Sequence, residues 1–196
     1  MNKPAKTKYG IHPLLESRWS PRFFSEKKIE KEKLQRIFEA AQWSPSCSNE
    51  QPWRFIAGEK GSATFEKIFN GLTEGNKKWA GLAPLLVISM ARKNFIASNR
   101  ENFHFLYDTG QSAAHLTFQA THEGLFVHQM AGFHADMMRE SFNIPDEFTV
   151  ASAIAIGYPG NPDMLDEDEK ERAMAERKRR DLNETVFTGS FGVIWE

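Results

Sequence analysis

Between Leu106 and Gly124 the chain reads as a helix with almost no large face. Gly110, Ser112, Ala113, Ala114, Thr117, Ala120 and Thr121 leave it small-sided around most of its circumference. A helix of this kind is central, with neighbours packed close on several faces. Gly124 supplies the left-handed stop at its end. The rest of the chain therefore has to provide elements that close around it.

Two apolar runs are candidates. Pro84–Met90 (PLLVISM) and Val150–Tyr158 (VASAIAIGY) read as strands buried on both faces. Trp53–Ala57 (WRFIA) alternates apolar and polar residues and reads as a further strand. From Ser25 to Trp43, Leu34, Ile37, Phe38 and Ala41 fall at i, i+3, i+4 and i+7, which predicts a one-faced helix with Ser25 as N-cap and Glu26 in its first turn. Ser62–Phe69 and Ala131–Phe142 read as helices, Gly71–Gly75 as loop, and Glu167–Lys178 as a charged helix with little apolar face. Helices interleaved with a few buried strands predict an α+β protein in mixed α/β layers, its central sheet covered by helices. At 196 residues without a step in composition, residues 1–196 are expected to form a single domain.

A net charge of -1 argues against bulk affinity for nucleic acid or an anionic membrane. The start, MNKPAKTKYG, lacks the apolar core of a secretory signal, and Leu82–Ala91 is too short to span a bilayer. A cytoplasmic protein is the expectation. One cysteine, Cys47, excludes an internal disulfide and a cysteine-based zinc cluster. Neither phosphate-loop, dinucleotide-fold, nucleophile-elbow nor HExxH motifs occur. His115 and His122 lack a third ligand at metal spacing, so no metal is expected.

Two features remain. Arg18-Trp19-Ser20-Pro21-Arg22 places two guanidinium groups and a hydroxyl on alternate positions, either a surface turn or a clamp for an anion. The run Arg177–Arg180 is either a solvated helix end or, if the fold brings it near Arg18, a second half of that clamp. The stretch Ser44–Trp53 (SPSCSNEQPW) spaces Ser48 and Gln51 as a capping box, but Pro52 bars Gln51 from the α region. An extended loop with free hydroxyl and amide groups is predicted. Cys47 within it is a packed small residue or, less simply, a nucleophile. The tail, TVFTGSFGVIWE, is apolar enough to need a surface to dock on, and a partner subunit is the candidate.

Taken in order, RxSxR, an amphipathic helix, PSxxNxQPW entering a strand, Asn76–Trp79 with Ala83-Pro84, Gly124-Leu125 with Gln129–Phe133, Ala155–Pro159, and Arg179-Arg180 with Asn183–Val186 resemble the FMN-dependent nitroreductase family over Arg18–Val186. The resemblance implies a homodimer with FMN at the subunit interface and the C-terminal arm, residues 183–196, exchanged between subunits, after an N-terminal extension of residues 1–12. It implies that Arg18, Ser20, Arg179 and Arg180 hold the phosphate, with Trp19 beside them. Arg22 would lie at the pyrimidine edge of the ring and Asn76 at its rim. Gln129 and Met130 would pack on one face, with Ala131 and the Gly132 N–H at the electron-accepting nitrogen. Pro45, Ser46, Cys47, Asn49 and Gln51 would wrap the FMN of the partner. Ala131 stands where many members carry Glu, and Trp79 where some place Lys, which implies a larger, more apolar pocket wall. The implied activity is NAD(P)H-dependent reduction of a nitroaromatic or quinone by a ping-pong mechanism. A specialised dehydrogenase or dehalogenase of the same fold and a non-catalytic FMN-binding sensor dimer are the alternatives. The donor preference, the acceptor and the pathway are not encoded in any recognisable motif.

Overall fold

The computed structural model describes residues 3–195; residues 1, 2 and 196, the ends of the expected extension and arm, lie outside them. The elements run α1 (Pro13–Ser17), α2 (Lys31–Gln42), β1 (Trp53–Glu59), α3 (Ala63–Asn70), α4 (Glu74–Ala80), β2 (Leu85–Arg92), α5 (Phe105–His122), β3 (Phe126–Met130), α6 (Ala135–Ser141), β4 (Phe148–Gly157) and α7 (Glu167–Met174). The strands form one sheet in the order β1-β2-β4-β3. Every neighbouring pair is antiparallel.

The period-2 geometry of the two central strands explains the layers. Leu86, Ile88 and Met90 of β2 join Ala153 and Ala155 of β4 in one core, with Trp19, Phe23, Phe24, Phe65 and Trp79. Leu85 and Val87 face the other way with Ile154 and Ile156, against Ile37 and Ala41 of α2 and Leu116 and Ala120 of α5. Both faces are thus covered, and the fold is α+β. The small side of α5 does what its sequence requires: Ser112, Ala113, Thr117 and Ala120 are buried, and the Ser112 hydroxyl donates to the Ala41 carbonyl of α2 at 2.9 Å. Gly124 comes next with φ +77°.

Several boundaries differ from expectation. Residues 25–30 stay extended and α2 begins at Lys31. The Ser25 N–H donates to the Tyr158 carbonyl at 2.9 Å, and Phe24 bridges to Pro159, so the sheet end captures a segment whose local pattern favoured helix. Glu26 accordingly pairs with Lys60 rather than with a helix terminus. Residues 74–80, partly read as loop, form α4, and β3 is a strand that the sequence pattern did not reveal. Helix α6 is shorter than expected because residues 126–134 are spent on β3 and the turn after it. Likewise α7 ends at Met174, so the basic run is not helical. Among the described residues no helix is long and apolar enough to cross a membrane.

Candidate flavin-binding site

A cleft of about 310 Å³ opens at the β3 edge of the sheet. Its lining includes Arg22, Asn76, Gln129, Met130, Ala131 and Gly132, residues scattered over more than a hundred positions of sequence that the resemblance had grouped. The turn after β3 is fixed by one carbonyl. Gly132 O accepts from Thr73 N at 3.0 Å, from Thr73 Oγ1 at 3.1 Å and from Asn76 Nδ2 at 2.9 Å. A Cβ on Gly132 would lie 2.6 Å from Asn76 Nδ2 and 2.7 Å from Thr73 Oγ1, so any larger residue here would displace the two side chains that hold the turn. Asn76 therefore spends its amide N–H on the chain itself, and the expected bond to a ring edge falls to its remaining atoms.

His128 of β3 lines the same cleft and was not singled out from the sequence. Its Nδ1 lies 2.8 Å from the Pro21 carbonyl. A carbonyl only accepts, so Nδ1 carries the hydrogen. Burial pushes the His128 pKa down, the Pro21 contact works against that, and the nearby Arg22 and Arg18 push further down, so the ring is neutral at pH 7. Both arginines of the clamp therefore lie close to one strand.

The two basic segments do converge. Burial lowers the Arg18 pKa first, and the positive charges of Arg177 and Arg179 lower it further. Arg177 is depressed by burial and then by Arg179. Like charges held this close call for an anion. Arg18 Nη1 also donates to Ser20 Oγ at 3.3 Å. Arg177 is anchored by donating to Lys3 O at 2.6 Å and Glu16 O at 2.8 Å. Arg177 thus joins the expected Arg179 beside Arg18; Arg180, like Arg179, is exposed.

Other expectations need correction. Trp19 is 4% exposed and packs edge-on against Phe23 and Phe126, so it supports the clamp from the core and presents no contact surface. Its Nε1 is buried without a hydrogen-bond partner among the described residues. Met130 is likewise a core side chain at 3% exposure, which leaves its backbone to line the cleft. Trp79, at 1% exposure, forms no pocket wall; behind the cleft it stacks on Phe24 and packs at a tilt against His128. Arg22 is not a lone cation, since its Nη1 donates to Glu169 Oε2 at 2.6 Å.

The loop from Pro45 to Gln51 does not reach this cleft. It leads into β1, the opposite edge strand, three inter-strand spacings or about 14 Å from β3. Gln51 does leave the α region but turns left-handed, at φ 51°, instead of extending, as Ser48 and Asn49 do at 53° and 54°. Part of its polar complement is consumed internally: Ser46 Oγ accepts from Gln51 N at 3.0 Å and Gln51 Nε2 donates to Asn49 O at 3.1 Å. The Cys47 N–H donates to Asp108 Oδ2 of α5 at 3.0 Å. Asp108, buried at the start of the small-sided helix, is an anchor that no sequence motif signalled. Three non-glycine residues in left-handed conformations carry backbone strain that the bonds to Asp108 and within the loop must hold in place.

The residues present suit FMN. A cation cluster matches a phosphate, and the cleft beside it, lined by Asn76, Gln129 and the turn at Ala131-Gly132, matches a flat ring. Comparisons agree. Residues 15–69 match the model of the nitroreductase family. Over 146 residues, 71% of this chain and 97% of the relative, the sequence is 30% identical to an uncharacterized 15.4 kDa protein of Mycolicibacterium smegmatis. The fold matches that of an oxidoreductase containing FMN at TM-score 0.91 and 34% identity over 96% of each chain. It also matches that of a nitroreductase family protein from Clostridium difficile 630 at TM-score 0.70 and 24% identity over 90% and 96%. On sequence and fold together, the chain belongs to the nitroreductase family.

Proposed function

We propose that this protein is an FMN-dependent oxidoreductase acting as a homodimer. The observation that carries the reading is the convergence of Arg18, Arg177 and Arg179 beside the cleft lined by Arg22, Asn76 and Gln129–Gly132. The arginine cluster with Ser20 would hold the phosphate. Asn76, Gln129, Ala131 and the backbone around Gly132 would frame the ring. FMN held by these residues would supply two-electron redox chemistry between a reduced nicotinamide and a nitroaromatic or quinone. The chain's own groups would bind, orient and set the local charge; neutral His128, with its Nδ1–H committed to Pro21, ties β3 to the segment that carries Arg18 and Arg22.

The dimer is supported by the placement of the Pro45–Gln51 loop on the opposite sheet edge from the cleft. One chain supplies half a site at each edge, so a second copy would bring its loop to the first copy's ring. Exposed apolar side chains suit such a partner: Trp43 is 79% exposed, Phe103 82% and Phe191 93%. In the tail, Phe187 bridges to Ile194 in a hairpin that would dock on the second subunit. NAD(P)H as donor is favoured by a relative from Archaeoglobus fulgidus, 24% identical over 150 residues, that carries the proposed name NADH dehydrogenase/NAD(P)H nitroreductase. Donor and acceptor would alternate in one cleft, which gives ping-pong kinetics.

The test is the visible spectrum of the purified protein, followed anaerobically while NADH or NADPH is added. A yellow protein bleached by either supports the reading. A yellow protein bleached by neither would favour a specialised or non-catalytic flavin binder, and a colourless protein that does not take up FMN would refute the proposal.

A further inference from the structure

Helix α7 turns only two buried side chains inward, Ala173 and Glu169, one turn apart. A carboxylate is an expensive residue to bury unless it is paired. Glu169 is 2% exposed, and its two oxygens are shared out: Oε2 accepts from Arg22 Nη1 at 2.6 Å, and Oε1 accepts from Arg172 Nη1 at 3.0 Å. The Glu169 N–H is itself fixed by Asp166 Oδ1 at 2.8 Å, so the carboxylate is held by the first turn of its helix. Arg22, Glu169 and Arg172 all line the cleft.

We infer that Glu169 sets the charge this cleft presents to the flavin, by neutralising part of the field of Arg22. The inference rests on the proposed flavin function. The group of three carries two positive charges and one negative. Reduction of the ring by two electrons and one proton leaves it one negative charge richer, so any net positive charge beside it favours the reduced form. Glu169 opposes that effect, while Arg172 adds to it. The pair therefore act on the redox potential with opposite signs, although they touch each other.

The experiment is a reductive titration of the full chain with FMN bound, against reference dyes of known potential. Glu169→Gln keeps the shape and removes the negative charge. It is expected to favour reduced over oxidised FMN at least tenfold, an upward shift of about 30 mV for a two-electron couple. Arg172→Gln, on a side chain 65% exposed, is expected to shift the potential downward. A role confined to fixing Arg22 in place predicts instead an unchanged or lower potential in Glu169→Gln, and that result would overturn the inference. If Glu169→Gln does not fold, the double variant Glu169→Gln/Arg172→Gln is compared with Arg172→Gln: a higher potential in the double variant supports the inference, and an equal or lower one overturns it. Wild-type protein that takes up no FMN counts against the flavin reading itself, whereas FMN bound at unaltered potential in both variants counts against Glu169 alone.

Discussion

Gly132→Ala tests the turn on which the cleft is built. The added Cβ would sit 2.6 Å from Asn76 Nδ2 and 2.7 Å from Thr73 Oγ1, closer than such atoms approach in folded proteins. Both are side-chain atoms, so the least costly response is for them to swing away. Each then loses its bond to the Gly132 carbonyl, while the backbone bond from Thr73 N persists. Two hydrogen bonds at about 0.5–1.5 kcal/mol each give a loss of about 1–3 kcal/mol. For a chain of this size that corresponds to a fall in Tm of about 2–12 °C. The assay is thermal unfolding at fixed protein concentration, with flavin release monitored in the same sample. Asn76→Ala provides the internal control. On that background the alanine at 132 meets one obstacle fewer, and the two substitutions should couple by about 1 kcal/mol. An unchanged Tm in Gly132→Ala, or strict additivity in the double variant, would refute the argument from close approach.

Three further outcomes are expected. Arg22→Met should lower the flavin midpoint potential while FMN stays bound, because the cation is lost but the phosphate cluster around Arg18 is intact; an unchanged potential would place Arg22 away from the ring. Truncation after Asp181 should release dimer and FMN together, as judged by sedimentation and absorbance, and a truncated protein that stays dimeric and yellow would remove the arm from the interface. Glu123 accepts from Arg36 Nε at 2.7 Å and Nη2 at 2.9 Å, and that pairing holds its pKa down at about 2. A depressed carboxylate stabilises the fold above its ordinary value near 4.5 and loses that contribution as pH falls towards about 2. Glu123→Gln should therefore flatten the dependence of unfolding on pH in that window. Its effect at pH 7 should stay within about 1 kcal/mol, since Arg36 is half exposed.

Elements with strong periodicity and forced neighbours were legible in the chain alone. The small-sided α5, the doubly buried β2 and β4, and the apolar stripe of α2 belong to this group, because burial writes a period of 2 or 3.6 into the residues. The ordered motifs from Arg18 to Val186 also carried the family. Pairings between segments remote in sequence emerged only once the chain was folded. Residues 25–30 are extended because the Tyr158 carbonyl takes the Ser25 N–H, a contact that no local propensity encodes. The Trp79 and Met130 side chains lie in the core and not in the cleft because α4 and β3 pack that way. Arg177 joins Arg179 beside Arg18 because α7 ends at Met174 and the carbonyls of Lys3 and Glu16 hold the Arg177 guanidinium. Glu169 looked like one more charge on a solvated helix, and a buried carboxylate is indistinguishable from an exposed one until its arginine, 147 residues away, is seen beside it. Local patterns fix which face of an element is apolar; which charged groups meet across the chain depends on how the layers close, and in this protein that closure builds the site.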